Sequence, residues 1–202
     1  MQTSLLHRRE GIIISTIETL NEVGLQNLST KLIAKRERVS EGTLFRHFKN
    51  KTEIMIAVID HFGQFDNAII ETSINRKLSP VETIRYFVCA YAEYYENYPA
   101  LTVIVQAYDS LMCDPELSEK VRNIITKRSD FILKSIKAAQ ENGTIKSDIK
   151  SELLEDLITG GSRDICLKWR IAKFKFSIKD RTLAMLEILL EAFSIKNDGF
   201  VC

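Results

Sequence analysis

Apolar residues recur along this chain at three- and four-residue spacing, and that spacing predicts helices throughout. Residues 5–23 put Ile12, Ile13, Thr16, Ile17, Leu20 and Val23 on one face. Gly24 ends the run, because glycine accepts the left-handed backbone that closes a helix. Ser29 caps a second, shorter helix carrying Leu32 and Ile33; residues 36–39 interrupt it, and Ser40 caps a third pattern with Leu44, Phe45 and Phe48. Asn50, with Glu53 three residues on, opens a fourth helix over 51–73 whose inward face is Ile54, Val58, Phe62, Phe65 and Ile69. Ser79-Pro80 and Asp114-Pro115 are further start signals, for helices over 80–97 and 116–141, and Pro99 opens another between them through Leu111. Asp148 or Ser151 starts a helix that runs to 173, and the last spans 178–195. No stretch alternates long enough to build a sheet. The expected fold is all-α, with about nine helices: a three-helix head and a larger helical body.

Within the head, residues 28–51 form two short helices joined by a tight break, the pattern of a helix-turn-helix whose second helix enters a major groove. Arg46, His47, Lys49, Asn50 and Lys51 stand around that second helix, and each has a group that donates to phosphate.

The strings Ile33-Ala34 and Val39-Ser40-Glu41-Gly42-Thr43-Leu44-Phe45-Arg46-His47-Phe48-Lys49-Asn50-Lys51 resemble the signature of the TetR/AcrR family of transcriptional regulators. That family usually has Ala-Gly where this chain has Glu37-Arg38, and Tyr where Phe45 stands. The resemblance implies a DNA-binding domain over residues 1–51 and a ligand-binding and dimerisation domain over 52–202. It implies a dimeric, sequence-specific DNA-binding regulator acting on palindromic double-stranded DNA, a repressor released by a hydrophobic small-molecule effector. By the same resemblance Glu41, Gly42 and Thr43 approach bases behind the Ser40 cap, with the alternative for Glu41 that it only stabilises the dipole at the helix N-terminus. Thr30, Lys31, Arg46, His47 and Lys51 fit phosphate contacts, and Phe45 packs against sugar. A turn of this kind commonly needs a positive φ, which costs Arg38 on the order of 1 kcal/mol relative to glycine. Glu37 must point outward or be paired. These departures keep open an alternative, a protein-interaction module of the same fold that has lost DNA binding.

Charge sharpens the division. Residues 1–51 carry nine Lys/Arg against five Glu, a balance of +4, which leaves −3 for the rest of a chain whose total is +1. A basic head on an acidic body suits a head that meets a polyanion. His7, Arg8 and Arg9 lie near the start of the first helix, a poor place for cations in its dipole, and a nearby phosphate would relieve that conflict.

In the body, the aromatic set Phe87, Tyr91, Tyr95, Tyr108, Phe131 and Trp169 is the candidate lining for an apolar effector site; ordinary core packing is its alternative. By family position the last two helices pair with those of a second copy through Leu157, Gly160, Gly161, Leu186, Leu189, Leu190 and Phe193. Two adjacent glycines inside a helix cost ~1 kcal/mol each, and close approach of another helix backbone is a physical reason to keep them.

The 45% hydrophobic and 27% charged composition is that of a globular chain. Cys89, Cys113, Cys166 and Cys202 are widely separated and read as reduced thiols, and His7, His47 and His61 are scattered, so no metal site or cofactor is expected. No nucleophile–base pair or phosphate loop points to an enzyme. The start of the chain lacks a leader pattern and the apolar runs are too short for a bilayer, which gives the expectation of a cytoplasmic protein away from membranes.

Overall fold

The computed structural model describes residues 2–195, and every regular element among them is helical. The order is α1 (Gln2–Val23), α2 (Thr30–Glu37), α3 (Glu41–Phe45), α4 (Lys51–Asn75), α5 (Pro80–Asn97), α6 (Thr102–Gln106), α7 (Tyr108–Met112), α8 (Pro115–Glu141), α9 (Ser151–Ile171) and α10 (Ile178–Phe193). Ten helices arise because the segment after Pro99 does not run straight to Leu111. It opens as a 3-10 turn, Pro99–Leu101, and breaks again at Ala107, whose φ of −92° and ψ of 0° leave the helical region.

The caps are where the sequence placed them. Ser29, Ser40 and Ser177 each accept from the backbone N–H three residues on, and so does Asn50 from Glu53. At Ser79 the box is reciprocal: its hydroxyl accepts from Glu82 N–H, and the Glu82 carboxylate accepts from Ser79 N–H at 2.8 Å. α9 starts at Ser151, one of the two expected starts, and Lys150 occupies its cap position without a side-chain bond. Ser151 donates to Gln140 Oε1 at 2.7 Å, while Gln140 Nε2 bonds the carbonyls of Lys146 and Ile149, bracing the connection from α8.

The chain divides into two compact units, Met1–Asn67 with Tyr98–Ile125, and Ala68–Asn97 with Thr126–Cys202. In the first, α1 buries Ile12, Ile17 and Leu20 against α2 and the 98–106 segment, and Leu44 and Phe48 close the head's interior. In the second, α10 packs between α5 and α9. Arg85 makes two bonds to Glu187 at 2.7 and 2.8 Å, and Lys179 pairs with Glu93, so both ends of the α5–α10 contact carry ion pairs. A single antiparallel bridge, Ile145 with Ser194, fastens the end of α10 to the α8–α9 connection. Among the described residues no helix is long and apolar enough to cross a membrane.

Candidate nucleic-acid interface

Two inward residues orient α3. Leu44 and Phe48 are fully buried, so the helix presents Gly42, Phe45 and Arg46 outward. The turn before it has the expected strained backbone: Arg38 sits at φ 58°, ψ 43°, and its N–H reaches back to the carbonyl of Lys35. Standard turn geometry is thus kept with an arginine in the glycine position.

Glu37 is paired, and by a constellation the sequence reading missed. Its carboxylate accepts from Arg8 Nη1 at 3.0 Å and from the Ser15 hydroxyl at 2.7 Å, both on α1. It lies against Gly11, where an added Cβ would come within 2.6 Å of Glu37 Oε1. The family's small residue on α2 has been exchanged for an acid, and α1 supplies the space and the donors. Spacing 8, 11, 15 puts all three on one face of α1, a signal readable in principle but meaningless until Glu37 is known to face them. The Arg8 cation is thus partnered by a carboxylate of its own chain. Arg9 lies over the Phe48 ring, 4.8 Å from its centre.

The remaining head residues fall into two groups. Thr30 donates to Glu41 Oε2 at 2.7 Å, which ties the first turn of α2 to the first turn of α3. The Ser40 and Thr43 hydroxyls share a bond at 3.0 Å, and Arg46 Nη2 donates to Thr43 Oγ1 at 3.3 Å. Lys31, Gly42, Phe45 and Arg46 are exposed, while His47 and Lys51 are half-buried. A Cβ at Gly42 would meet nothing nearer than Ser40 Oγ at 3.7 Å, so the start of α3 is open to a close neighbour.

In the second unit Phe87, Tyr91, Tyr95 and Phe131 form one run of rings. Centroid separations are 4.8 Å for Phe87–Tyr91, 5.3 Å for Phe87–Phe131 and 5.9 Å for Tyr91–Tyr95. Arg128 lies over Tyr91 at 4.3 Å, the geometry of a cation–π contact. Tyr108 belongs to the first unit, with its ring edge-on to Phe62. Trp169 is buried at the end of α9, where it packs on Phe174 and donates through Nε1 to the Phe176 carbonyl at 2.7 Å.

The expected pairing residues of the last two helices also separate. Leu186 and Leu190 are buried in the chain's own core and have no surface left for a second copy, which corrects their assignment. Gly161 has a local reason to lack a side chain: a Cβ there would come within 3.1 Å of Met185 on α10 of the same chain. Leu189 and Phe193 are half-buried, while Leu157 and Gly160 are exposed. The exposed apolar residues missed by the sequence reading are Leu153, Leu167 and Ile171 on α9 and Ile188 on α10, the last two 72% and 67% exposed. Positions 153, 157, 160, 164, 167 and 171 follow i+4, i+3 spacing and are all exposed, a second stripe beside the buried one. Among the described residues Cys89, Cys113 and Cys166 are in no disulfide, and burial pushes the Cys89 thiol up; Cys202 lies outside the described residues.

Two family profiles cover most of the chain: "Bacterial regulatory proteins, tetR family" over residues 12–58, and "YsiA-like protein, C-terminal region" over residues 58–192. The chain is 23% identical over 186 residues to the fatty acid metabolism regulator protein of Bacillus subtilis (strain 168), covering 92% of this chain and 95% of that one. It is 29% identical over 174 residues to the HTH-type transcriptional regulator UidR of Escherichia coli (strain K12), covering 82% and 85%. The crystal structure of transcriptional regulator FadR from Bacillus subtilis in complex with stearoyl-CoA superposes with a TM-score of 0.78 at 21% identity, covering 91% of this chain and 98% of that one; the likeness is one of fold.

Proposed function

The chain belongs to the tetR family of bacterial regulatory proteins, and on that premise we propose that this DNA-binding transcriptional regulator is a homodimeric repressor released from a palindromic site by a hydrophobic small molecule. The helix-turn-helix carries the reading. Residues 1–51 are its DNA-binding head, with α3 in the major groove, and residues 52–202 hold the effector and the partner. Gly42, Phe45 and Arg46 face outward from α3 toward base edges, and Lys31 and Lys51 flank it as phosphate donors. The exposed Leu153, Leu157, Leu167 and Ile171, around Gly160 and Asp164, with Ile188, support self-association: an uncovered, mainly apolar face suits a two-fold pair, and a two-fold pair reads a palindrome.

The effector class follows from the same unit. An apolar wall of Phe87, Tyr91 and Phe131 with the Arg128 guanidinium at one edge suits a long apolar molecule with an anionic head. The bound stearoyl-CoA of the similar FadR structure is of that class. Such a ligand acts only by binding the DNA-free state more tightly than the DNA-bound one. The alternative, an interaction module without DNA binding, was motivated by Glu37, Arg38 and Phe45; Glu37 and Arg38 fit within the turn, so no observation favours it.

The test is a selection on random duplexes followed by titration of the selected complex with stearoyl-CoA. An enriched palindrome, and its release by the acyl thioester with a change in Trp169 fluorescence, is the expected result. Absence of any enriched site defeats the DNA-reading assignment, and a complex indifferent to acyl-CoA and to free fatty acid defeats the effector class.

A further inference from the structure

We infer that Phe45 is a sequence-reading residue, whose phenyl ring recognises the C5-methyl group of a thymine in each half-site. The inference rests on α3 being the groove-reading helix. It goes beyond that reading by assigning a base and the chemical group on it.

Few side chains of α3 remain available to a partner. Glu41 is held by the Thr30 hydroxyl, Thr43 by Ser40 and Arg46, and Leu44 and Phe48 are turned fully inward. The outward face is therefore Gly42, Phe45 and Arg46, and only one of these presents an apolar surface. Phe45 is 46% exposed although its neighbour Leu44 and its near neighbour Phe48 are 0% and 1% exposed. The open space over Gly42, one turn earlier on the same face, lets that surface come close to a partner.

In a major groove the base edges present hydrogen-bonding groups and one apolar group, the thymine methyl. A phenyl ring offers no hydrogen bond, so its favourable contacts are with that methyl or with deoxyribose. Deoxyribose lies along the groove wall, where Lys31 at the start of α2 and Lys51 at the start of α4 supply the cationic flanks. Phe45 shares its exposed face with Gly42, over which the space is open to a close approach, and this favours the groove floor and the methyl. A tyrosine here would carry a hydroxyl able to donate to a sequence-neutral phosphate; phenylalanine has only an apolar surface, which discriminates.

The experiment uses the full chain and the site recovered by selection. Each thymine is replaced in turn by deoxyuridine, which removes the methyl and leaves every hydrogen-bonding group in place. One position per half-site is expected to weaken wild-type binding about four-fold, the effect of one buried methyl-sized group. Phe45→Ala should bind the thymine and deoxyuridine sites equally, whereas Phe45→Tyr, which keeps the ring, should keep the ratio even where an added phosphate bond tightens both. Matching thermal melts for the three proteins check the fold. Wild-type binding indifferent to every deoxyuridine substitution overturns the inference, as does a Phe45→Ala protein that retains the discrimination. In either case the selected site itself still stands for the DNA-reading assignment. A selection that enriches no site removes both.

Discussion

Around α3 the chain saturates its own polar groups, whereas along α9 and α10 it leaves apolar surface uncovered. In the head, Glu37 is received by Arg8, Ser15 and the hollow at Gly11, Glu41 by Thr30, and Thr43 by Ser40 and Arg46. In the body, the face that carries Leu157 and Ile171 ends at the solvent. The difference teaches how the two surfaces meet their partners. A surface that binds a hydrated, highly charged polymer must hold its own shape before contact, because each loose polar side chain adds entropy to be lost on binding. A surface that meets a second copy of itself is stabilised by the burial alone, and needs only matched apolar relief.

That contrast is open to attack on both sides. The largest effect is expected at the uncovered stripe. Leu157→Arg with Ile188→Glu leaves the single chain folded, since both residues are exposed, and should convert the proposed dimer to a monomer in sedimentation. Loss of linked half-site binding should weaken palindrome affinity on the order of a hundredfold. An unchanged sedimentation coefficient would remove the stripe from the interface.

In the head, Gly11→Ala sets two effects against each other. Alanine raises helix propensity by about 1 kcal/mol, but it evicts Glu37 from charge-assisted bonds worth about 1.5–3 kcal/mol. Denaturant unfolding should therefore show net destabilisation near 1 kcal/mol in the natural background, and stabilisation of similar size when Glu37 is also alanine. A change of the same sign in both backgrounds would mean that Glu37 and Gly11 are not coupled. Arg38→Gly should stabilise the head by about 1 kcal/mol in the same assay, by removing the left-handed strain of a side chain at φ 58°.

The smallest effect depends on pH. Glu155 is buried on α9, and burial pushes its carboxyl above the ordinary value of 4.5, against a bond from Ser129 that pulls it down. Because the folded pKa is raised, the neutral form is the one that fits. Its stabilisation is complete below the ordinary value and is lost as pH rises through the raised one. Glu155→Gln should thus melt higher than the natural protein at neutral pH and converge with it near pH 4.5. Parallel melting curves across that range would contradict the burial argument.

The head was legible because its information is local. Serine caps, the Leu44–Phe48 spacing and the basic run lie within 25 residues, and short-range rules read them directly. Arg38 was legible too, since a turn of fixed geometry demands one backbone state whatever residue occupies it. The Glu37 clasp was not, because its donors lie 22 and 29 positions away on another helix and acquire meaning only from the packing of α1 on α2. In the body, period alone cannot separate two adjacent apolar stripes on one helix. The expectation assigns Leu186 and Leu190 to the partner, but the fold buries both and leaves Ile188, between them in the chain, exposed. Gly161 shows the same limit: a missing Cβ says that something is near, and the something was Met185 of the same chain.

The pairing of α5 with α10 has a consequence for biosynthesis. About 80 residues separate the end of α5 from the start of α10, and at ribosomal rates of roughly 5–20 residues per second α5 waits some 4–16 s for its partner. During that interval Ile84 and Val88, and the arginine and glutamate that later pair with α10, stand without it on the nascent chain. The first unit is complete by residue 125, so the helix-turn-helix is in place before the second unit has closed. Each newly made chain therefore passes through a stage at which α5 is synthesised but the α10 half of its packing is not.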